Sequence, residues 1–469
     1  MLVVISDLHF TEERSSAVPG AGAKRHGRNL HPSAFLGLFE RIVRNARRNG
    51  ARRIDLVFAG DVFDLHRTAL WFEDDLRPWS TGAAGEAALE PRTLDILEAI
   101  AAEPWVAGAL RAIREFAAGR YRLEDGRTDE VPVPVALHYL PGNHDRLAGR
   151  FGPCRRRVRE LLGMAPDDAP FPTHLLFEAE RTLVRHGHEY DRYNFSIDLE
   201  HGKRPIPAEI PAGAYADPAF GDLVTVDIAA RLPWLFRRRH GARIAGSPDL
   251  EAVDARLRAF DDVRPQSALG EFLLARTHDG LTPARVWRIL EPVVRELLEE
   301  LAENRAFGRW LKRLDARWRP DAIDLVQAAL DLRLWRAGIP LRAVRRLVRY
   351  RPDGARHGGG AERCAAREAL VRDGTVRMVV AGHTHRPRVS ALAGGPGGGV
   401  VYVDTGTWRR RILAAPDSRG FVELEALAVA VVYAPDEAPG RGGEAGAVVP
   451  FDWWDGLRRR LPAGNGEVA

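Results

Sequence analysis

Five short apolar runs in this chain each end in aspartate, asparagine or histidine, and this pattern constrains the fold more than any other. The sequence opens MLVVISDLHF, in which the run Leu2–Ile5 leads directly to Asp7 and His9. The same change from apolar to polar recurs in LVFAGDVFD, YLPGNHD, TLVRHGHEYD and MVVAGHTH. Short apolar runs suit strands that are buried on both faces, as in a parallel sheet covered by helices. The pattern therefore predicts an α/β fold.

The polar residues at these strand ends are of the types that bind divalent cations. In an α/β sheet, ligand sites form outside the carboxyl ends of the strands, so the five ends are expected to meet in space. Any one of the motifs alone is more often an ordinary turn or a hydrogen-bonded strand end. Together they supply only oxygen and nitrogen donors, which suits a site for two borderline-hard dications.

The motifs in combination resemble those of the calcineurin-like metallophosphoesterase superfamily. The matching segments are DLH at 7–9, GDVFD at 60–64, GNHD at 142–145, HGH at 186–188 and GHTH at 382–385. The resemblance implies a four-layer α/β/β/α sandwich with two divalent metal ions, which would be Mn, Fe, Zn or Ni, with Mn favoured. The metal ligands that it implies by position are Asp7, His9, Asp61 and His385 for one ion, and Asp61, Asn143, His186 and His383 for the other, with Asp61 bridging.

The resemblance also implies an activity, namely hydrolysis of a phosphodiester or a phosphoanhydride by in-line attack of a hydroxide that bridges the two metals. His144, beside Asn143, is expected to protonate the leaving group; the alternative is an ordinary polar loop residue. Of the two histidines in HGH, His186 is favoured as the ligand over His188. The residues expected to support the ligands or contact the substrate are Asp64, Asp145, His188 and Asp404.

The substrate is less constrained than the reaction. HGHEYD, GHTHRP and YVDTGTW are most similar to the branch that contains the UDP-2,3-diacylglucosamine pyrophosphatases. This chain departs from that branch, however, because His144 stands where those enzymes carry arginine and because the chain is much longer. A nuclease is an alternative within the enzymes. A binding scaffold that keeps the fold without turnover is the alternative outside them.

The chain of 469 residues is long enough for two or three domains, or for one large domain with insertions. The strand-like pattern is expected to form a core in two parts, 1–194 and 371–435. Between them, 195–370 predicts an arginine-rich helical insertion that packs over the mouth of the site as a cap. The remainder, 436–469, is expected to be a tail that ends in a short helix.

Arginine and tryptophan are interleaved in the insertion, in the clusters 236–243, 309–319 and 332–351. Such clusters can contact a membrane surface or a nucleic-acid backbone, although the solvated face of an ordinary helical domain is the simpler interpretation. His26 and His31 lie near the first motif, where they would either contact a substrate phosphate or belong to a surface loop.

The bulk composition agrees with a soluble protein. The net charge is only +5, and two cysteines provide neither a disulfide framework nor a cysteine metal site, which fits a reducing compartment. We therefore expect a cytoplasmic protein, with peripheral membrane contact as an alternative. The sequence leaves the oligomeric state open.

Overall fold

The computed structural model describes most of the chain. The residues described are 1–17, 28–264, 268–275, 281–304, 307–308, 338–344, 360–395, 398–415, 420–437 and 449–458. The strands are β1 (Leu2–Ile5), β2 (Ile54–Ala59), β3 (Arg120–Arg122), β4 (Thr128–Glu130), β5 (Val135–Leu140), β6 (Leu175–Phe177), β7 (Thr182–Val184), β8 (Val263–Arg264), β9 (Met378–Ala381), β10 (Arg388–Gly395), β11 (Gly398–Asp404), β12 (Arg410–Ala414), β13 (Phe421–Val432) and β14 (Phe451–Arg458).

Helices occur between the strands and in the described parts of the predicted insertion. They are α1 (Ser33–Asn49), α2 (Ala83–Ala101), α3 (Pro104–Ala117), α4 (Arg146–Arg150), α5 (Gly152–Leu162), α6 (Ala212–Ala216), α7 (Phe220–Leu223), α8 (Arg231–His240), α9 (Pro248–Ala259), α10 (Leu269–Leu273), α11 (Pro283–Glu303), α12 (Gly360–Ala365) and α13 (Ala369–Arg372). The mixture of sheets and helices confirms the α/β class.

The strands form two main sheets. In the first, the order is β5-β2-β1-β13-β12-β8, and β5, β2 and β1 run parallel. Strand β14 pairs with the side of β13 that faces away from β1, because Ala430 of β13 pairs with Val4 of β1 on one side and with Trp453 of β14 on the other. In the second sheet the order is β10-β11-β9-β7-β6, with β11, β9 and β7 parallel. Each sheet therefore has a parallel part whose carboxyl ends can carry a site.

The two sheets pack face to face, and alternate residues of each strand point to opposite sides. Val4 of β1 lies in one fully buried cluster with Val380 and Val403 of the second sheet. Its neighbour Val3 instead packs in the cluster that contains Phe35 of α1. This period of two explains why the strands read as uninterrupted apolar runs, since both faces are covered.

The predicted insertion is helical where it is described. Val286, Leu290 and Val293 of α11 are buried on one face, and they pack in a cluster with residues of α8 and α9. The insertion also contributes β8, whose Val263 pairs with Ile412 of the first sheet. Two of the basic clusters fall mainly or wholly outside the described residues, in 309–337 and 345–359.

The prediction of a short helix in the tail is wrong for 451–458, which form strand β14. Aromatic residues favour strands. Here Phe451 and Trp453 pack between the sheets, whereas Trp454 packs with the cluster on the other face of the first sheet. Two other parts of the predicted tail, 438–448 and 459–469, lie outside the described residues. None of the described helices combines the length and the apolarity that crossing a bilayer requires.

Candidate metal centre

The five polar strand ends meet at the carboxyl ends of the parallel strands of both sheets. Backbone hydrogen bonds join them: the amide of Asp7 donates to the carbonyl of Gly60 over 3.0 Å, and that of His9 donates to Asp61 over 2.8 Å. The amide of Gly382 donates to the carbonyl of His186 over 2.7 Å, which links the ends of β9 and β7. The turns are therefore held together by the backbone as well as by their side chains.

One group of possible ligand atoms comes from Asp7, His9 and His385, which are all buried. His385 Nε2 lies 3.1 Å from Asp7 Oδ1 and 2.9 Å from His9 Nε2. His9 Nε2 is in turn 3.5 Å from Asp61 Oδ2. Asp7 Oδ2 accepts hydrogen bonds from Ser6 Oγ and from the amide of His383, whereas Oδ1 is buried and receives no well-directed hydrogen bond. Asp7 thus presents a free oxygen to the group.

A second group comes from Asp61, His186 and His383. His186 Nε2 lies 3.3 Å from Asp61 Oδ2 and also 3.3 Å from Asn143 Oδ1. The Asn143 side-chain amide donates weakly to Asn194 Oδ1, at 3.5 Å, which favours the orientation with its oxygen towards His186. These atoms belong to the residues expected for the second metal ion.

Asp61 Oδ2, of the second group, lies between the two groups, 3.5 Å from His9 Nε2 and 3.3 Å from His186 Nε2. The other oxygen, Oδ1, accepts the backbone amide of His144 over 2.8 Å. Donors about 2.1 Å from a common cation lie roughly 3.0–3.4 Å apart in octahedral or tetrahedral arrangements, close to most of the separations found here. The donor spacing therefore fits a bound metal ion.

The backbone is strained at these positions. Among the described residues, six that are not glycine have a left-handed backbone, and five of them are expected metal ligands. These five are Asp7 (φ 54°), His9 (φ 45°), Asp61 (φ 53°), His383 (φ 70°) and His385 (φ 55°). Such conformations cost free energy and are found where a fixed direction of the side chain matters.

Three of the imidazoles are oriented by hydrogen bonds from the ring nitrogen that faces away from the group. His9 Nδ1 lies 3.1 Å from Asp64 Oδ2, and His186 Nδ1 lies 2.7 Å from the carbonyl of Ala59. In His383 it is Nε2 that has a partner, Asp191 Oδ2 at 3.1 Å, which leaves Nδ1 for the group. Partners of this kind fix the tautomer and the orientation of metal-binding histidines.

His385 differs from the other three. Its Nδ1 lies 2.7 Å from Arg264 Nη2, a donor, so Nδ1 accepts and the proton of the neutral ring lies on Nε2. This Nε2 lies 2.9 Å from His9 Nε2 and 3.1 Å from Asp7 Oδ1, so its proton points into the group. A cation bound at this ring must therefore displace a proton.

The carboxylates of Asp61 and Asp7 are ionised although they are buried. Burial raises the pKa of Asp61, but the positive charges of His186 and His144 lower it by a larger amount, so that the pKa lies well below its usual value. The pKa of Asp7 is likewise low, because contacts with His385 and His9 outweigh burial. Burial lowers the pKa of His186, yet Asp61 raises it to about 10. In the absence of metal, a proton on His186 thus balances part of the negative charge of Asp61.

His144 lies beside the first group rather than in it. Its Nδ1 lies 2.9 Å from Asp64 Oδ1, and its ring is 4.7 Å from that of His9. Burial lowers the pKa of His144, but the charges of Asp64 and Asp61 raise it by more. The imidazole is therefore positioned next to the candidate metal centre, in surroundings that favour its protonated form.

The other predicted residues have distinct positions. Asp64 holds both His9 and His144, whereas Asp145 accepts the backbone amides of Gly142 and Val62 and so fixes two of the turns. His188 is buried, its ring lies 5.1 Å from that of His186, and it belongs to none of the possible metal-binding groups. Asp404 Oδ2 accepts a hydrogen bond from the Thr384 hydroxyl. His31 packs on Trp105 at the start of α1. His26 lies outside the described residues.

Four residues of the site were not anticipated from the sequence. Asp191 and Asn194 follow the HGH motif, and they support His383 and Asn143. Arg264 comes from the insertion. His66 is fully buried 5.3 Å from the His144 ring, and neither of its nitrogens has a hydrogen-bond partner among the described residues. Proximity to GDVFD and HGH was a usable signal for three of them, but no local pattern indicates Arg264.

A comparison of the sequence with models of protein families found no match, and a comparison with curated proteins found none either. The geometry of the site is therefore the basis for assigning a function. Buried histidine and aspartate groups that could hold a metal ion are the feature that any assignment has to explain.

Proposed function

We propose that the protein is a dinuclear metal-dependent phosphoesterase that hydrolyses a phosphodiester or a phosphoanhydride. The observation that carries the proposal is the position of Asp61 Oδ2 between His9 Nε2 and His186 Nε2. A single carboxylate oxygen shared by two sets of nitrogen and oxygen donors is expected of a two-metal hydrolase. The motifs at the strand ends support the same assignment, including the α/β/β/α sandwich of calcineurin-like metallophosphoesterases.

Bound at this centre, two dications would supply Lewis-acid activation of water and of the phosphoryl group. The protein's own contribution is to fix the donors. Asp61 is buried and accepts the amide of His144, so it cannot swing away from the two sets. The imidazoles of His9 and His186 present Nε2 to the centre because their Nδ1 atoms are already bonded.

His144 is the residue proposed to move a proton. Asp64 holds its Nδ1, which leaves Nε2 to donate a proton to the leaving-group oxygen. The same carboxylate orients His9, so one side chain positions both a ligand and the acid. This arrangement suits protonation of an alkoxide or phosphate as it departs from the phosphoryl group.

The test is hydrolysis by purified protein supplied with Mn, Zn, Fe, Ni or Mg. A monoester, a diester and a nucleotide diphosphate substrate are offered in parallel. We expect hydrolysis with at least one metal, and its loss in Asp61→Ala. Asp55→Ala is the matched control, since Asp55 lies on β2, the strand that Asp61 follows, but pairs with His138 and Arg53 away from the centre.

Two results would contradict the proposal. Hydrolysis of none of the substrates with any of the metals would favour a binding scaffold. Full activity of Asp61→Ala would exclude a mechanism that depends on a shared carboxylate.

A further inference from the structure

A basic cleft lies next to the candidate metal centre, between the core and the insertion. It is lined by the loop at Ser15 and Ser16, by the segment after GDVFD and by helix α8. Three arginines, Arg28, Arg67 and Arg237, contribute to its walls, together with one carboxylate, Asp261. The charge of its lining is therefore predominantly positive.

The acidic partners of these arginines are shared. Asp254 pairs with Arg237 at 2.8 Å and also with Arg258 at 3.0 Å. Burial lowers the pKa of Arg237 in spite of Asp254, and the charge of Arg28 lowers it further. Burial likewise lowers the pKa of Arg258, to about 10, with Arg237 and Arg28 contributing. These low pKa values reflect above all the burial of the two guanidinium groups, whereas Asp261 and Asp64 raise the pKa of Arg67 in spite of its burial.

Arg237 has a free donor. Its Nε donates to Asp254 and its Nη1 donates to the carbonyl of Ser15, whereas Nη2 is buried and has no hydrogen-bond partner among the described residues. The Arg237 side chain is only 10% exposed. A buried guanidinium donor without a partner is costly, so a ligand that accepts from it would be bound favourably.

The cleft is connected to the metal centre through Arg67. Arg67 Nη1 lies 3.1 Å from Asp64 Oδ2, the oxygen that also holds His9. Arg67 of the cleft therefore contacts the carboxylate that orients His9. The ring of Trp234, at the cleft wall, is covered by the guanidinium groups of Arg231 and Arg238, at 4.1 and 4.6 Å. The lining thus favours an anion over a stacked base.

We infer that the cleft binds a second phosphate group of the substrate, apart from the phosphoryl group at which hydrolysis occurs. Guanidinium groups suit phosphate because they donate two parallel hydrogen bonds to its oxygens. The inference rests on the proposed function and narrows it, since the preferred substrates are then those that carry two phosphate groups.

The first experiment measures binding without turnover. Radiolabelled inorganic phosphate is equilibrated with the full-length protein in EDTA. We expect the affinity to fall at least about tenfold in Arg237→Gln, because a charge-assisted hydrogen bond is lost. Arg239→Gln is the matched control, since Arg239 lies on the same helix but is exposed and pairs with Glu296. Arg28→Gln provides a second test if Arg237→Gln does not fold.

The second experiment compares two substrates in the metal-loaded protein. They are the p-nitrophenyl ester of thymidine 5′-phosphate with and without a 3′-phosphate. We expect a higher kcat/KM for the ester that has the second phosphate, and we expect this preference to fall about tenfold in Arg237→Gln but not in Arg239→Gln.

The outcomes separate this inference from the proposed function. Phosphate binding that depends on Arg237, without hydrolysis of any substrate, would support an anion site while refuting the phosphoesterase. Hydrolysis of both esters with no preference, or phosphate binding that Arg237→Gln leaves unchanged, would refute the subsite and leave the phosphoesterase standing.

Discussion

Replacing Asp64 with asparagine should weaken one metal site and spare the other. Asp64 Oδ2 holds His9 Nδ1 at 3.1 Å, and His9 belongs to the group with Asp7 and His385. Asparagine keeps the shape and an acceptor oxygen, but it removes the negative charge that makes the imidazole a stronger ligand. The substitution therefore weakens His9 as a ligand, and because asparagine has one acceptor oxygen in place of two, it also weakens the support of His144.

The magnitude follows from the role of such partners. Loss of a hydrogen-bonded carboxylate behind a metal-binding histidine typically lowers metal affinity about 10–100-fold. This corresponds to about 1.4–2.8 kcal/mol of binding free energy. Stepwise titration of the metal-free protein with Mn²⁺, in competition with a chromophoric chelator, should show one of two affinities reduced by this factor. Circular dichroism and the melting temperature establish that the variant is folded.

Asp191→Asn is the reciprocal experiment. Asp191 Oδ2 lies 3.1 Å from His383 Nε2, and His383 belongs to the other group. This variant should weaken the affinity that Asp64→Asn spares, and the double variant should weaken both. If either single variant weakened both affinities equally, or if neither affinity changed, the assignment of the donors to two sites would be refuted.

Three further predictions concern stability. His66→Gln should flatten the dependence of the unfolding free energy on pH, because burial lowers the His66 pKa from 6.5 to about 4. The contribution that neutral His66 makes to the unfolding free energy is fully present above pH 6.5. About 3 kcal/mol of it is lost as the pH falls towards 4. Gly382→Ala should lower the melting temperature and abolish metal binding, because a Cβ would overlap buried oxygens at the end of β1. Arg185→Met should cost about 3–5 kcal/mol, because it leaves Glu368 buried without its ion pair.

Each stability prediction has a control in the chain. His201→Gln, at an exposed histidine, should leave the pH dependence of the EDTA-treated protein unchanged. Gly213→Ala should be tolerated, because nothing lies within 4 Å of its Cβ position. Adding Glu368→Gln to Arg185→Met should recover part of the stability. Equal effects in the controls and in the test variants would contradict the structural reasons given.

The parts of the fold that local pattern determines could be predicted from the sequence. Strand β1 forms where a continuous apolar run suits burial on both faces. Helix α1 forms where apolar residues recur with the helical period and suit burial on one face. The expected ligands converge because parallel strands place their carboxyl ends at the same edge, and five motifs made that edge recognisable. Such predictions need no knowledge of which distant segments pair.

What the sequence did not indicate depends on distant partners. The segment 451–458 forms a strand because β13 offers a free edge, and nothing within the segment itself determines this pairing. Strand β8 has only two residues, too few for a periodic signal. The role of Arg264 follows from this pairing, since Leu413 of β12 lies beside it and places it near the candidate metal centre.

The insertion is joined to the centre by charged side chains. Three neighbouring positions, Asp261, Asp262 and Arg264, contact Arg67, Arg409 and His385 respectively. Each of these contacts is largely buried, so breaking one would leave a charge without compensation. A helical domain that merely interrupted the core would not need three charged contacts at the edge of the site. The segment 260–264 is therefore better understood as part of the wall of the centre, and the boundary between core and insertion passes through the site.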